Sequence, residues 1–180
     1  AVDMGIDRMS RYMAQFGFGA PTGLDVIGEG AGVLPSQAWK RANLHEPWYL
    51  GETVIAGIGQ GYWVTTMPQL AWATSVVAMR GQRAPLHLLR ATQSSFDQPS
   101  RSYDPGPVTQ IPVHDPVSWD VAIDGMIAVV NSPTGTARAI GVDAPFTIAG
   151  KPGTAQRVSS RDVNTADLAR HLRHQALFIC

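Results

Sequence analysis

The sequence predicts an α+β fold, with helices along most of the chain and a pair of strands near its C-terminus. Apolar residues recur at helical spacing in several stretches before residue 132, and two short strand-like runs follow residue 144. Hydrophobic residues make up 44% of the 180 residues and charged residues 16%. A chain of this size and composition has enough apolar surface for a core of ordinary size, and disorder is not expected as its overall state.

The overall composition excludes several classes of protein. Fourteen basic residues balance fourteen acidic ones, so the broad positive field of a nucleic-acid-binding protein is missing. The single cysteine, Cys180, excludes an internal disulfide and a cysteine-rich zinc site. No apolar run approaches the roughly 18 to 20 residues that cross a bilayer, and the first residues do not form a signal peptide.

The N-terminal stretch predicts an amphipathic helix followed by a long loop. Gly17 and Gly19 are expected to end this helix, and residues 20–51 lack periodicity apart from one short helix near residues 35–41. The apolar stripe of the first helix has spacings of three and four: Ile6, Met9, Met13 and Phe16.

A capping box predicts the next helix. The Thr66 hydroxyl is placed to accept a hydrogen bond from the Gln69 N–H, and the Gln69 side chain can reach back to the backbone N–H of Thr66. Gly81 is expected to end the helix. One face of this helix is predicted to carry Leu70, Thr74 and Val77.

Three glycines precede this helix, at positions 57, 59 and 61. A dinucleotide-binding fingerprint requires a further glycine where Tyr62 stands, so nucleotide binding is disfavoured. We interpret the glycines as a tight turn before the helix.

The middle of the chain predicts one strand and one helix. Residues 85–89 suit a strand that leads into a surface loop, and a helix is expected from Ser118 to Asn131, before the breaker run at residues 132–137. One face of that helix is predicted to carry Trp119, Ala122, Met126 and Val129.

The C-terminal part predicts two neighbouring strands. Residues 146–150 favour a strand, residues 157–165 a polar connection, and residues 166–174 a short helix, after which residues 176–180 form the second strand. His171 and His174 lie one helical turn apart, a spacing suited to a metal, yet a third ligand is missing nearby. Because Arg170 and Arg173 flank the histidines, we favour a solvated face and expect no metal.

The segment Pro145 to Gln156 is the candidate for chemistry. After its apolar start, small residues give access to the backbone, and Lys151 adds a cation. The Thr154 N–H, the Thr154 hydroxyl and the Lys151 ammonium are then available to a carbonyl or carboxylate that lies alongside the strand. A Lys-x-Gly-Thr sequence alone is weak evidence, because a surface turn between strands has the same composition.

Several motifs along the chain together resemble class B penicillin-binding proteins, in particular the elongation-type D,D-transpeptidases of rod-shaped Gram-negative bacteria. The matching segments are MGIDR at 4–8, TGLD at 22–25, GIGQGYWVTTMPQLA at 57–71, DGM at 124–126, GTA at 135–137 and KPGTAQ at 151–156. The resemblance implies an antiparallel sheet packed against helices, as in serine β-lactamases. It also implies a peptidoglycan-synthesising, cell-shape enzyme that β-lactams target.

The resemblance also implies roles for four residues. Lys151 would supply positive charge and assist proton transfer, and Gly153 would let the substrate backbone approach. The Thr154 N–H would be one of two oxyanion donors, and its hydroxyl would bind a carboxylate. Pro152 would lie in the substrate-binding strand. No cofactor or metal is implied, and the implied partners are stem peptides, β-lactams, a membrane glycan polymerase and the elongation machinery.

The nucleophile motif of this family, Ser-x-x-Lys, does not occur in the sequence, and neither does Ser-x-Asn. Ser36 and Lys40 have one residue too many between them. We therefore expect residues 1–180 to be part of a transpeptidase domain that lacks its N-terminal half and its last strands, and to be inactive alone. The full protein is expected at the periplasmic side of the inner membrane, with an anchor outside this sequence.

Pro152 departs from the family pattern, in which this position is normally threonine or serine. Proline removes a hydroxyl and a backbone donor, and it is tolerated in sheets mainly at edges or bulges. We expect weaker β-lactam acylation if no other residue compensates; the alternative is that proline is an ordinary variant of this lineage.

Two other functions remain open at this stage. A non-catalytic sensor of penicillin or peptidoglycan would lack one of the family's serines or its lysine in the full protein. An unrelated binding module with a chance Lys-x-Gly-Thr would direct Lys151 and Thr154 away from any cleft.

Overall fold

The computed structural model describes residues 2–155 and 174–180. These residues form two compact units, one ending at His114 and the other beginning at Asp115. Both helices and antiparallel strand pairs are present, which confirms the α+β class. Within the described part of the chain, no helix is both long enough and apolar enough to cross a membrane.

The first unit contains four helices and two short strand pairs. The helices are α1 (Ile6–Ala14), α2 (Gln37–Leu44), α3 (Leu50–Gly57) and α4 (Met67–Ala78). Strand β1 (Gln82–Arg83) pairs antiparallel with β4 (Thr109–Gln110), and β2 (Ala91–Thr92) pairs antiparallel with β3 (Arg101–Ser102).

The described residues of the second unit form two helices and one longer strand pair. Its elements are α5 (Val117–Asn131), α6 (Arg138–Gly141), β5 (Lys151–Ala155) and β6 (Gln175–Ile179). Strands β5 and β6 are antiparallel. The predicted connection at 157–165, most of the predicted helix at 166–174 and His171 lie outside the described residues.

Helix α1 follows its predicted apolar stripe. Ile6 and Phe16 are buried, Met9 and Met13 are half-buried, and the helix ends at Ala14. The glycine after it is required by packing, since a Cβ on Gly17 would lie 2.5 Å from the Trp72 ring.

Helix α4 begins with the predicted capping box. The Thr66 Oγ1 accepts from the Gln69 N–H at 3.3 Å, and the Gln69 Oε1 accepts from the Thr66 N–H at 3.0 Å. The Gln69 Nε2 also donates to the carbonyl oxygens of Ala20 and Ala31, both at 2.8 Å. Gln69 is completely buried, so these bonds replace all of its contact with water.

The predicted face of α4 is displaced around the helix. Gln69, Trp72 and Val76 are the buried residues, whereas the predicted set is half-buried: Leu70, Thr74 and Val77. Because the Gln69 amide points inward, the helix is rotated, and its buried face differs from the face that the apolar residues predicted.

Helix α3 was not predicted: it begins at the end of the predicted loop at residues 20–51 and ends at Gly57, the first glycine of the predicted turn. The glycine turn itself is present after the helix, with φ of +75° at Gly59 and +76° at Gly61. The helix begins with a second capping arrangement, in which the Glu52 carboxylate accepts from the Tyr49 N–H at 2.8 Å.

The predicted strand at 85–89 is wrong, because these residues form a loop held by a side chain. Asp25 Oδ1 accepts from the Leu88 N–H at 2.6 Å, and Oδ2 accepts from the Leu89 N–H at 2.8 Å. These two donors, with a contribution from His87, lower the Asp25 pKa below its ordinary 3.8. The Asp25 carboxylate therefore accepts hydrogen bonds from two backbone N–H groups that, in a strand, would bond to a neighbouring strand.

Helix α5 ends at Asn131 as predicted and begins at Val117, one residue before Ser118. Trp119 and Val130 are its buried residues. Of the other predicted face residues, Met126 and Val129 are half-buried and Ala122 is exposed.

Replacing Gln69 tests the buried amide. Gln69→Leu leaves the Thr66 N–H and the carbonyls of Ala20 and Ala31 without this partner, so we expect a loss of about 3 to 5 kcal/mol in the free energy of unfolding. Urea unfolding measures the loss. The control Gln37→Leu, at an exposed position, should change stability by less than about 0.5 kcal/mol. Equal effects of the two variants would contradict the role of the amide.

Replacing Asp25 tests the loop anchor. Because the folded-state pKa is lowered, the anchor is present above pH 3.8 and weakens as the pH falls below that value. We expect the amides of Leu88 and Leu89 to be protected from hydrogen exchange at neutral pH, and to lose protection in acid or in Asp25→Asn. Asp97→Asn is a matched control, because Asp97 also has a lowered pKa but binds Ser95 in its own loop.

Candidate active site

The candidate residues lie on β5, which begins later than predicted. Residues 146–150 are not a strand, and Phe146 is exposed. Their backbone is bound to α5 instead: Asn131 Nδ2 donates to the Ile148 carbonyl at 2.8 Å, and the Gly150 N–H donates to the Met126 carbonyl at 3.0 Å. Helix α5 therefore fixes the point at which β5 starts.

Gly150 allows this close approach. It is buried, and a Cβ at this position would lie 2.3 Å from Phe178 Cζ and 2.9 Å from the Ile179 carbonyl oxygen. Any side chain here would push β5 and β6 apart. Sequence reasoning missed Gly150, Met126 and Asn131 as positioning residues, although Met126 belongs to the DGM segment.

Strand β6 pairs with the candidate residues directly. Lys151 lies opposite Ile179, Pro152 opposite Phe178, and Thr154 opposite Ala176. This confirms the prediction of a second strand beside the first, with the pairing moved from residues 146–150 to the Lys-Pro-Gly-Thr segment itself.

The backbone groups of β5 alternate between its two edges. In an antiparallel pair, alternate residues direct their N–H and C=O groups towards the partner strand and away from it. The Gly150 N–H points to Met126 rather than to β6, and Pro152 has no N–H to give to β6. The alternation therefore directs the Pro152 carbonyl and the Thr154 N–H towards the outer edge of β5.

The Lys151 ammonium lies at this same edge. Its Nζ donates to the Pro152 carbonyl oxygen at 2.6 Å, and the side chain is exposed. Gly153 and Thr154 are exposed and Pro152 is half-buried. The strand thus brings a cation and a backbone donor to one edge, an arrangement that suits an oxyanion or carboxylate alongside it.

Packing does not require a glycine at position 153. A Cβ added there would meet Leu177 Cβ at 3.9 Å, which is an ordinary van der Waals contact. The glycine therefore leaves space beside the strand without being required by the rest of the described chain.

Ser36 and Lys40 do not form a nucleophile and base. The Ser36 Oγ caps α2 by accepting from the Trp39 N–H at 3.0 Å. The Lys40 Nζ is bound 2.5 Å from Glu52 Oε1 and 3.4 Å from Glu46 Oε2, and its side chain is 1% exposed. Both residues therefore have structural roles in the first unit, Ser36 as a helix cap and Lys40 in a buried ion pair.

Lys40 and Glu52 are charged in this cluster. Burial disfavours both charges, but the hydrogen bond and ion pair between the two groups outweigh it, so the Lys40 pKa is raised and the Glu52 pKa is lowered. The Tyr62 hydroxyl also donates to Glu52 Oε1 at 3.0 Å, and the Tyr49 ring lies 4.6 Å from the Lys40 ammonium.

A family model matches almost the whole chain. Residues 1–173 match the penicillin binding protein transpeptidase domain. The chain belongs to this family.

The transpeptidase-domain chain is similar to proteins named peptidoglycan D,D-transpeptidase MrdA. It is 39% identical to that of Haemophilus influenzae over 181 residues, which cover 99% of this chain and 28% of the relative. It is also 39% identical to that of Escherichia coli K12 over 184 residues, covering 98% of this chain and 28% of the relative. The chain thus spans little more than a quarter of these relatives.

Solved structures confirm the fold of this domain. Pseudomonas aeruginosa PBP2, in complex with WCK 5153, is 41% identical with a TM-score of 0.79, over 98% of this chain and 36% of that chain. PBP2 of Helicobacter pylori, in complex with MreC, is 26% identical with a TM-score of 0.77, over 98% of this chain and 29% of that chain. These matches confirm the resemblance to class B penicillin-binding proteins.

Removing the buried cation tests the structural assignment of Lys40. Lys40→Met leaves the half-buried Glu52 carboxylate without its main partner, so we expect the thermal midpoint to fall by roughly 5 to 10 °C. Arg41→Met, on the exposed side of α2, should leave it nearly unchanged. The double variant Lys40→Met/Glu52→Leu should recover part of the loss, and a Lys40→Met midpoint equal to that of the unmodified protein would contradict the assignment.

Proposed function

We propose that this chain is part of a peptidoglycan D,D-transpeptidase of the penicillin-binding protein 2 type and carries one wall of its active site. The observation that supports this proposal is the outer edge of β5, where the Lys151 ammonium and the Thr154 N–H lie within a chain of the transpeptidase family. In this proposal, residues 1–180 form a partial domain whose nucleophile lies elsewhere in the full protein.

The proposed reaction is acyl transfer through a serine ester. The serine oxygen attacks the penultimate D-Ala carbonyl of a stem peptide, the peptide bond breaks, and D-Ala leaves with a proton on its amine. An amine of a neighbouring stem peptide then attacks the ester carbonyl, the bond to the serine oxygen breaks, and the serine oxygen takes a proton from the attacking amine as the cross-link forms. A β-lactam follows the first step, but its opened ring remains attached to the serine.

The residues of β5 have separate tasks in this reaction. The Thr154 N–H donates to the oxyanion that forms when the carbonyl is attacked, together with the N–H of the nucleophile. The Thr154 hydroxyl and the Lys151 ammonium bind the terminal carboxylate, and Lys151 favours the loss of the serine proton. Gly153 leaves room for the substrate backbone.

Pro152 weakens this site relative to the family pattern. A hydroxyl at this position would add one charge-assisted hydrogen bond to the substrate or antibiotic carboxylate, worth about 1.5 to 3 kcal/mol. Because position 152 lies on the outer edge of β5, proline removes no hydrogen bond to β6. The fold therefore tolerates a residue that reduces carboxylate binding.

The relatives support partners for the full protein. The Helicobacter pylori neighbour was solved with MreC. A further neighbour belongs to a peptidoglycan synthase complex that coordinates polymerisation and crosslinking. It is 35% identical to this chain with a TM-score of 0.70, and the match covers 87% of this chain and 24% of the neighbour. For this protein we propose the periplasmic side of the inner membrane, a membrane glycan polymerase and the elongation machinery.

Labelling of the full-length protein with a fluorescent penicillin tests the proposal. We expect the unmodified protein to be acylated slowly and Pro152→Thr to be acylated roughly 10- to 100-fold faster. Lys151→Ala should lower the rate by about 100-fold or more. Ser36→Ala is the control and should leave the rate unchanged, because Ser36 caps a helix.

Pro152→Ala separates the two effects of proline. It restores the backbone donor without the hydroxyl, so a rate close to that of the unmodified protein assigns the defect to the missing hydroxyl. Failure of both the unmodified protein and Pro152→Thr to label would overturn the enzyme proposal and favour a non-catalytic sensor.

A further inference from the structure

Helix α3 has its polar residues inside and its large apolar residues outside. Thr53 and Ala56 are 2% and 5% exposed, and Glu52 is half-buried. Leu50, Val54 and Ile58 follow one another at helical spacing on the opposite side and are 67%, 51% and 75% exposed. This is the reverse of an ordinary surface helix, whose apolar stripe faces the core.

The polar side of α3 is held inward by specific bonds. Glu52 accepts from the Lys40 ammonium, the Tyr49 N–H and the Tyr62 hydroxyl, so both of its carboxylate oxygens are bound. The Thr53 hydroxyl accepts from Trp48 Nε1 at 2.9 Å. Because these bonds fix the rotation of the helix, its apolar side must face outward.

The outward side forms a continuous apolar surface. We define the α3 face as Leu50, Val54, Ile55 and Ile58, with Ile55 46% exposed beside the main stripe. The exposed residues within α3 are all apolar or glycine, and its polar side chains, Glu52 and Thr53, lie on the other side. Contiguous exposed apolar surface of this kind marks an interface.

We propose that the α3 face is covered in the full-length protein by a part of the transpeptidase domain that lies outside residues 1–180. The inference rests on the proposed function, since it takes the full protein to resemble relatives of which this chain spans 28%. The occupant is an apolar helix or strand surface of the same polypeptide.

The chemistry of the face favours this occupant over peptidoglycan and over a transient protein partner. Peptidoglycan presents hydroxyl, amide and carboxylate groups, and the α3 face has no hydrogen-bonding side chain to receive them. Transient interfaces carry charged and polar groups around their contacts, whereas permanent interfaces resemble a protein core. An uncharged aliphatic face fits a permanent contact within one domain.

Thiol accessibility in the folded full-length protein tests the proposal. Val54→Cys and Ile58→Cys are made in a background without Cys180 and other thiols, and maleimide labelling is followed before and after urea unfolding. We expect labelling of both positions to be at least about tenfold slower in the folded protein. Ile27→Cys is the matched control, because Ile27 is a fully exposed apolar residue of the same unit, and it should label at nearly the same rate in both states.

Each outcome decides between the possible occupants. Labelling of Val54→Cys and Ile58→Cys as fast as Ile27→Cys would overturn the proposal. Protection that disappears on dilution, with dimers in sedimentation, would assign the face to a second copy and also overturn it. Penicillin labelling of the same preparations is measured in parallel, so that acylation without protection refutes this inference alone, and protection without acylation refutes the enzymatic function alone.

Discussion

The buried amide of Gln69 is the interaction on which the first unit depends. It joins the start of α4 to two distant points of an irregular segment, the carbonyls of Ala20 and Ala31. Beside it, Gly32 comes so close that a Cβ would lie 2.3 Å from the Val64 carbonyl oxygen and 2.9 Å from Gln69 Oε1. The segment has no regular secondary structure, so its carbonyl groups lack partners on a neighbouring strand. The Gln69 side chain donates hydrogen bonds to two of these carbonyls instead.

The second unit uses the same principle to place the candidate site. The carboxyl half of α5 binds residues 148–150 through Asn131 and the Met126 carbonyl, and β5 begins at the next residue. Strand β6 pairs with one edge of β5, and the Lys151 ammonium and the Pro152 carbonyl lie at the other edge. The position of β5 is thus set by a helix terminus and a glycine more than by strand propensity.

Local signals in the sequence predicted the parts of the structure that depend on local contacts. The box of Thr66 and Gln69, the end of α5 at Asn131 and the strand at 175–179 all follow from residues within a few positions of each other. Helix α3, the loop at 88–89 and the start of β5 depend on Lys40, Asp25 and Asn131, whose partners are 12 to 64 positions away. Propensity contains no information on such partners, and strand propensity at 146–150 therefore misled the prediction. The roles of Lys151, Gly153 and Thr154 came from family resemblance and remain proposals.

Pro152 lies at a position of β5 where a proline costs the strand pair no hydrogen bond. A proline that faced β6 would remove a hydrogen bond of the strand pair and destabilise the second unit. At its actual position the lost donor belongs to the outer edge, where a substrate or β-lactam rather than β6 would use it. Substitutions at this position are therefore expected to change acylation with little effect on unfolding. Position 152 can therefore vary without the loss of a hydrogen bond between β5 and β6.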